Sequence, residues 1–180
     1  MAKKFHYFDI NGLGESIRYI LHYGKQKFED VRYDWKTWPN KTIKDSLPYG
    51  QLPLYEEGNR TLNQSLAIAR YIASQHNLLP AGPWEQAVLD AVLDDPKEIL
   101  SDTVDFFYSR FEKELKANKG FFGGQLSWAD FVLVAMTEAA NLQLGVDIHK
   151  KYPTVEALIQ KIRTLPGVKE YIATRKPYTL

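Results

Sequence analysis

"PYGQLPLYEEGNRTLNQSLAIARY", residues 48–71, contains the turn signals that decide the sheet. Two short extended runs, 52–55 and 60–62, flank Glu56-Glu57-Gly58-Asn59, a hairpin signal, so these strands pair antiparallel. The apolar residues of 64–76 then recur at helical spacing. Pro53 stands at the mouth of the first run, where proline is tolerated only at an edge, a first residue or a bulge. An unusual backbone entry is expected there, a cis bond being one form of it. Upstream, a strand over 4–8, a helix over 13–24 and a strand over 28–33 lead into an aromatic and basic segment, 35–46, that reads as partly helical. The order is βαβ followed by ββα, and the sheet is mixed.

Residues 77–83, Asn-Leu-Leu-Pro-Ala-Gly-Pro, form a short connector, and strand character ends there. Helical patterns cover 84–94, 99–117, 127–141, 154–165 and 167–174. The expected fold class is α/β plus all-α: residues 1–76 as a small α/β domain, 77–83 as linker and 84–180 as a helical domain. One helix start is unusually well specified. Ser127 and Asp130 have the spacing of a capping box, with Leu126 and Phe131 as the hydrophobic staple, and the apolar run 132–136 marks a central helix. Another junction is anomalous. The helix from Trp84 meets Asp94 and Asp95 at the negative end of its dipole, while Asp95-Pro96-Lys97-Glu98 reads as a new helix start. Antiparallel helices need about 2–8 connecting residues, so residues are expected to be absent between Asp94 and Ile99, by deletion, transcript variation or omission.

Composition narrows the function classes. Of 180 residues, 44% are hydrophobic and 25% charged, as in ordinary globular chains, and no apolar run approaches bilayer length, so no membrane association is expected. The start, Met-Ala-Lys-Lys-Phe, has no signal-peptide pattern, which makes the cytoplasm the expected location. A net charge of +1 without a basic block gives no footprint for nucleic acid. The chain has no cysteine, which excludes disulfides, Cys-ligated metals and a cysteine nucleophile, and no metal site is expected. Any thiol chemistry must use a thiol brought from outside.

Candidate chemistry sits in the first domain. In "FHYFDINGLGES", residues 5–16, the strand gives way to a helix, so the Tyr7 hydroxyl falls close to a helix N-terminus. Gly12 and Gly14 suggest a dinucleotide fingerprint, but Ile17 occupies the third glycine position; a tight turn with close helix packing is the other reading. At Asn63-Gln64-Ser65 the free amides of a helix start can bind a carboxylate or phosphate, the alternative being a plain N-cap by Asn63 or Ser65.

Tyr7-Phe8, Trp38-Pro39 with Lys44, residues 48–53, residues 64–71 and Leu126-Ser127-Trp128-Ala129-Asp130, in this order and spacing, resemble the sigma-type cytosolic glutathione S-transferases, and the 38–48 spacing resembles invertebrate, nematode-like members. The resemblance implies a thioredoxin-like N-terminal domain binding glutathione as co-substrate, no other cofactor, an all-helical domain providing the acceptor site, and a homodimer. It implies that Tyr7 is catalytic, donating a hydrogen bond to the glutathione sulfur and favouring the thiolate. Leu52, presented by a cis bond to Pro53, would pair with the cysteinyl unit. Gln64 and Ser65 would hold the γ-glutamyl carboxylate, and Trp38, Lys44 and Gln51, beside Gly50, the glycyl end. Phe8, Leu13 and Leu180 would line the acceptor pocket.

Departures accompany the match. Leu13 stands where many members carry an arginine, which points away from a prostaglandin-isomerase specialisation; Gln51 replaces a lysine; and the first helical hairpin is several turns short. The expected function is conjugation of glutathione to hydrophobic electrophiles. The alternatives are a weakly catalytic binding protein for hydrophobic ligands, or a crystallin-like structural member of the same fold.

Overall fold

In the computed structural model, which describes residues 1–93 and 104–178, strands β1 (Lys3–Phe8), β2 (Glu29–Tyr33), β3 (Leu54–Glu57) and β4 (Arg60–Asn63) form one sheet in the order β2-β1-β3-β4. β1 is central, parallel to β2 (Tyr7 opposite Arg32) and antiparallel to β3 (Phe5 opposite Tyr55), and Glu57 opposite Arg60 closes the expected β3–β4 hairpin. The sheet is mixed, as the sequence predicts. β3 begins at Leu54 rather than residue 52, because the Leu52–Pro53 peptide is cis and proline has no N–H for the ladder. Trp38–Pro39 is a second cis bond, which the sequence reading did not anticipate.

The helices are α1 (Gly12–Tyr23), α2 (Lys41–Ser46), α3 (Ser65–Ser74), α4 (Pro83–Val92), α5 (Val104–Ala117 in its described part), α6 (Trp128–Leu144), α7 (Pro153–Arg163) and α8 (Val168–Thr174), with a 3-10 turn at Trp35–Thr37 before α2. α4 opens one residue early on Pro83, whose fixed φ suits the first helical position. α6 runs three residues past its expected end at Asn141 and stops at Gly145, whose φ of +65° ends a helix at little cost.

Two helices organise the molecule. α1 is buried on all sides from Gly14 to Leu21, Glu15 and Arg18 included, because it packs against α3, α6 and α8 as well as the sheet side of its own domain. An amphipathic stripe alone would not show that. α6 is buried over most of its length, and the reciprocal half of the expected capping box holds its start: Asp130 reaches back to the Ser127 amide, while the Ser127 hydroxyl donates to that carboxylate instead of accepting the Asp130 N–H. The Asp130 carboxylate accepts from the Ser127 amide (2.7 Å), the Ser127 hydroxyl (2.9 Å) and the Phe122 amide (3.1 Å), tying the preceding loop to the helix. Among the described residues no helix is long and apolar enough to cross a membrane. The expected break between Asp94 and Ile99, and Leu180, lie outside the described residues.

Candidate functional site

A cleft of about 650 Å³ opens where the β1–α1 turn, the α2 segment, the start of β3 and the N-terminus of α3 converge. Its walls bring together every glutathione-site candidate read from the sequence: Phe8 on one side, Trp38 and Lys44 on the α2 segment, Gly50, Gln51, Leu52 and Pro53 before β3, and Gln64 and Ser65 at α3. Leu13 lines it too.

Tyr7 lies behind this wall, 5% exposed, on the penultimate residue of β1. Its phenolic oxygen accepts the Leu13 N–H at 3.1 Å, one of the amides that the first turn of α1 leaves without an intrahelical partner. Burial pushes the phenol above its ordinary range, against the opposing pull of the Leu13 amide and the Arg18 guanidinium. The hydroxyl therefore keeps its proton at neutral pH, and with its oxygen already accepting, that proton is free to be donated. Gly14 explains the glycine pair. A Cβ there would stand 2.2 Å from a Tyr7 ring carbon, so only a glycine lets the helix start lie on the ring. The turn-and-packing reading accounts for these glycines.

The start of α3 departs from an ordinary cap. No side chain caps its first turn, so the expected plain N-cap by Asn63 or Ser65 is not formed. Asn63 Nδ2 is buried without a partner among the described residues, and Gln64 adopts a φ of +69°, a conformation that side chains adopt only where their surroundings enforce it. Uncapped amides at the positive end of a ten-residue helix suit a carboxylate, and Ser65 lines the cleft beside them. Across the cleft, Lys44 is exposed and ion-pairs with no carboxylate among the described residues, with its aliphatic stem over Gly50. Trp38 meets Phe8 edge to face at 5.2 Å between centroids. Leu52 precedes the first paired residue of β3, so its N–H and C=O stay outside the ladder.

Two further lining residues, Tyr49 and Leu66, sit inside stretches the sequence singles out but carry no role there, and Asn63 enters the sequence analysis only as a candidate cap. No local signal marks them, since chain neighbours bring them to the rim. Among the described residues no cluster of three or more His, Asp or Glu side chains could hold a metal ion.

Family models for the glutathione S-transferase N-terminal and C-terminal domains match residues 3–74 and 86–175. The chain belongs to the glutathione S-transferase family. Glutathione S-transferase 1 of Ascaris suum is 32% identical over 200 positions, which cover 96% of each chain. That span exceeds the 180 residues here, so the nematode relative carries segments without a counterpart in this chain. Among solved structures, prostaglandin synthase D of Nilaparvata lugens superposes with a TM-score of 0.90 at 33% identity, covering 98% of this chain and 100% of that one. Monomeric Na-GST-3, a glutathione S-transferase of Necator americanus, superposes with a TM-score of 0.85 at 27% identity over 100% of both. The kinship is with sigma-like invertebrate enzymes.

Proposed function

We propose that the cleft binds glutathione and that the enzyme conjugates its thiolate to hydrophobic electrophiles. In this reading the γ-glutamyl carboxylate lies at the start of α3 on Gln64 and Ser65, the cysteinyl backbone on Leu52, and the glycyl end on Trp38, Lys44 and Gln51. The sulfur meets Tyr7 Oη, and the acceptor lies against Phe8 and Leu13. With an aryl halide, sulfur bonds to the ring carbon as halide leaves, the thiol proton having gone to solvent. The observation that carries the reading is the Tyr7 hydroxyl, buried beside the cleft with its oxygen already accepting the Leu13 amide, which leaves its proton to donate. It is a donor prepared for an anionic sulfur. A purely structural or ligand-storing member of the fold would need neither this phenol nor an uncapped α3.

Tyr7→Phe removes a hydrogen bond to a charged acceptor, worth roughly 1.5–3 kcal/mol, so the pKa of bound glutathione should rise by about one to two units. Titrating thiolate absorbance of the complex measures this, and an unmoved pKa would end the assignment. Ser65→Ala should weaken glutathione binding by about 1–3 kcal/mol while costing folding no more than about 1 kcal/mol. Calorimetry that found stability lowered but affinity intact would return Ser65 to a structural role.

A homodimer is also proposed. Trp84 (76% exposed) and Val88 (43% exposed), one turn apart, leave an apolar stripe on α4. Sedimentation should return twice the 20.8 kDa of the chain, and a monomer at micromolar concentration would remove the proposal. The cytoplasm is the proposed location, since a co-substrate that must remain a thiol needs a reducing compartment. Cell fractionation that found the enzyme elsewhere would exclude it.

A further inference from the structure

Behind the Tyr7 ring lies a charged group that the proposed chemistry does not yet use. Arg18 of α1 is fully buried, and its whole guanidinium is engaged. Nη2 donates to the Phe8 carbonyl (3.0 Å) and Nη1 to the Ile10 carbonyl (2.8 Å), the two ends of the link that carries the chain from Tyr7 into α1. Nε spans both oxygens of Asp30 on β2 (3.2 and 3.1 Å), and Nη1 also reaches Glu15 Oε2 and Tyr178 Oη, each at 3.4 Å. The guanidinium carbon stands 5.7 Å from the centre of the Tyr7 ring.

Such a cluster is a poor device for stability alone. Buried ion pairs are often matched or bettered by apolar residues of similar volume, and Ile17, Ile20 and Leu21 beside Arg18 on α1 are buried and apolar. What a leucine at 18 could not do is clasp two carbonyls of one loop and hold positive charge beneath a phenol. We propose that Arg18 is a positioning residue of the thiol site: by clasping the Phe8 and Ile10 carbonyls it fixes the loop that presents Tyr7, Phe8 and Leu13, and it keeps a cation behind the Tyr7 ring. The groups facing it are Glu15 from its own helix, Asp30 and Arg32 from β2, and Tyr171, Arg175 and Tyr178 from α8 and the segment after it; Asp9 pairs in turn with Arg32. Tyr178 donates to Glu15 at 2.7 Å, so the C-terminal segment closes over the cluster.

The inference rests on Tyr7 acting as donor to the sulfur, and the test separates the two. The thiol of bound glutathione is titrated in the full-length enzyme for Tyr7→Phe, Arg18→Met, Arg18→Lys and Glu15→Gln, together with kcat and KM for an aryl halide. Arg18→Met should raise the thiol pKa by about one unit and lower kcat about tenfold, with KM for glutathione changed less than about twofold. Arg18→Lys, which restores charge without the fork, should recover part of the shift. Glu15→Gln removes a negative charge from the cluster, so the pKa should fall, a sign that mere loosening of the fold would not produce. Should Arg18→Met not fold, Arg18→Gln, which keeps hydrogen-bonding capacity without the charge, is titrated in its place: a raised thiol pKa supports the role and an unmoved one overturns it. An unmoved pKa in Tyr7→Phe overturns the Tyr7 reading itself. A shift in Tyr7→Phe, with the thiol pKa and kcat unmoved in Arg18→Met or Arg18→Gln, overturns the role of Arg18.

Discussion

Asp130→Ala is expected to lower folding stability by about 3–5 kcal/mol, because it orphans several donors at once and each buried unsatisfied group costs about 1–3 kcal/mol. The carboxylate is fully buried and accepts from the Ser127 amide, the Ser127 hydroxyl and the Phe122 amide. The first two belong to the start of α6 and the third to the loop before it, so one side chain joins a helix to the segment that delivers it. Ser127→Ala should cost only about 1–2 kcal/mol, the loss of one hydrogen bond from its hydroxyl to the carboxylate, since Asp130 would keep both amides. Against a total of about 5–15 kcal/mol for a typical domain, the aspartate is decisive and the serine is not. Urea unfolding with an unchanged m-value would measure both. If the two variants cost the same, the Phe122 tie contributes nothing and the site is an ordinary cap.

That motif was legible because a capping box is local, with both partners three residues apart in the chain. The hairpin was legible for the same reason: Gly58-Asn59 between two extended runs fixes β3 against β4, and the mixed sheet follows. The start of β3 was misplaced by two residues, since strand propensity does not report that Pro53 removes a donor and closes a cis bond just before the ladder. Nothing local distinguishes Trp38–Pro39 as cis. The site itself was read through resemblance more than through spacing: Trp38, Lys44, Gln51 and Ser65 share a cleft only because three connections meet at the same end of the strands. The cluster around Arg18 was the least visible. Glu15 and Arg18 at i,i+3 look like an exposed pair on a helix, and only the packing of α6 and α8 over α1, with Tyr178 arriving from 160 residues away, makes them interior. Pairs that distant leave no periodic trace.

Gly14→Ala is expected to cost far more in catalysis than in folding. The new Cβ would stand 2.2 Å and 2.5 Å from two carbons of the Tyr7 ring, whereas carbon atoms settle at about 3.5–4.0 Å. α1 cannot retreat, because α3, α6 and α8 pack against it. The ring must yield instead, and Arg18 lies behind it, so the phenol swings out of line with the Leu13 amide and the cleft. Overpacking of this kind costs about 1–3 kcal/mol of stability. Moving a reacting group by about 1 Å costs on the order of 100-fold in rate, so kcat/KM should fall by roughly that factor while the protein still folds. The loss acts through Tyr7, which gives the prediction a second edge. The double variant Gly14→Ala with Tyr7→Phe should be no slower than Gly14→Ala alone, because a hydroxyl already displaced has nothing further to lose. Steady-state kinetics on the three variants decide the matter. Losses that multiply in the double variant would show that Gly14 serves some other part of the site, and full activity in Gly14→Ala would show that the helix start does not hold the tyrosine at all.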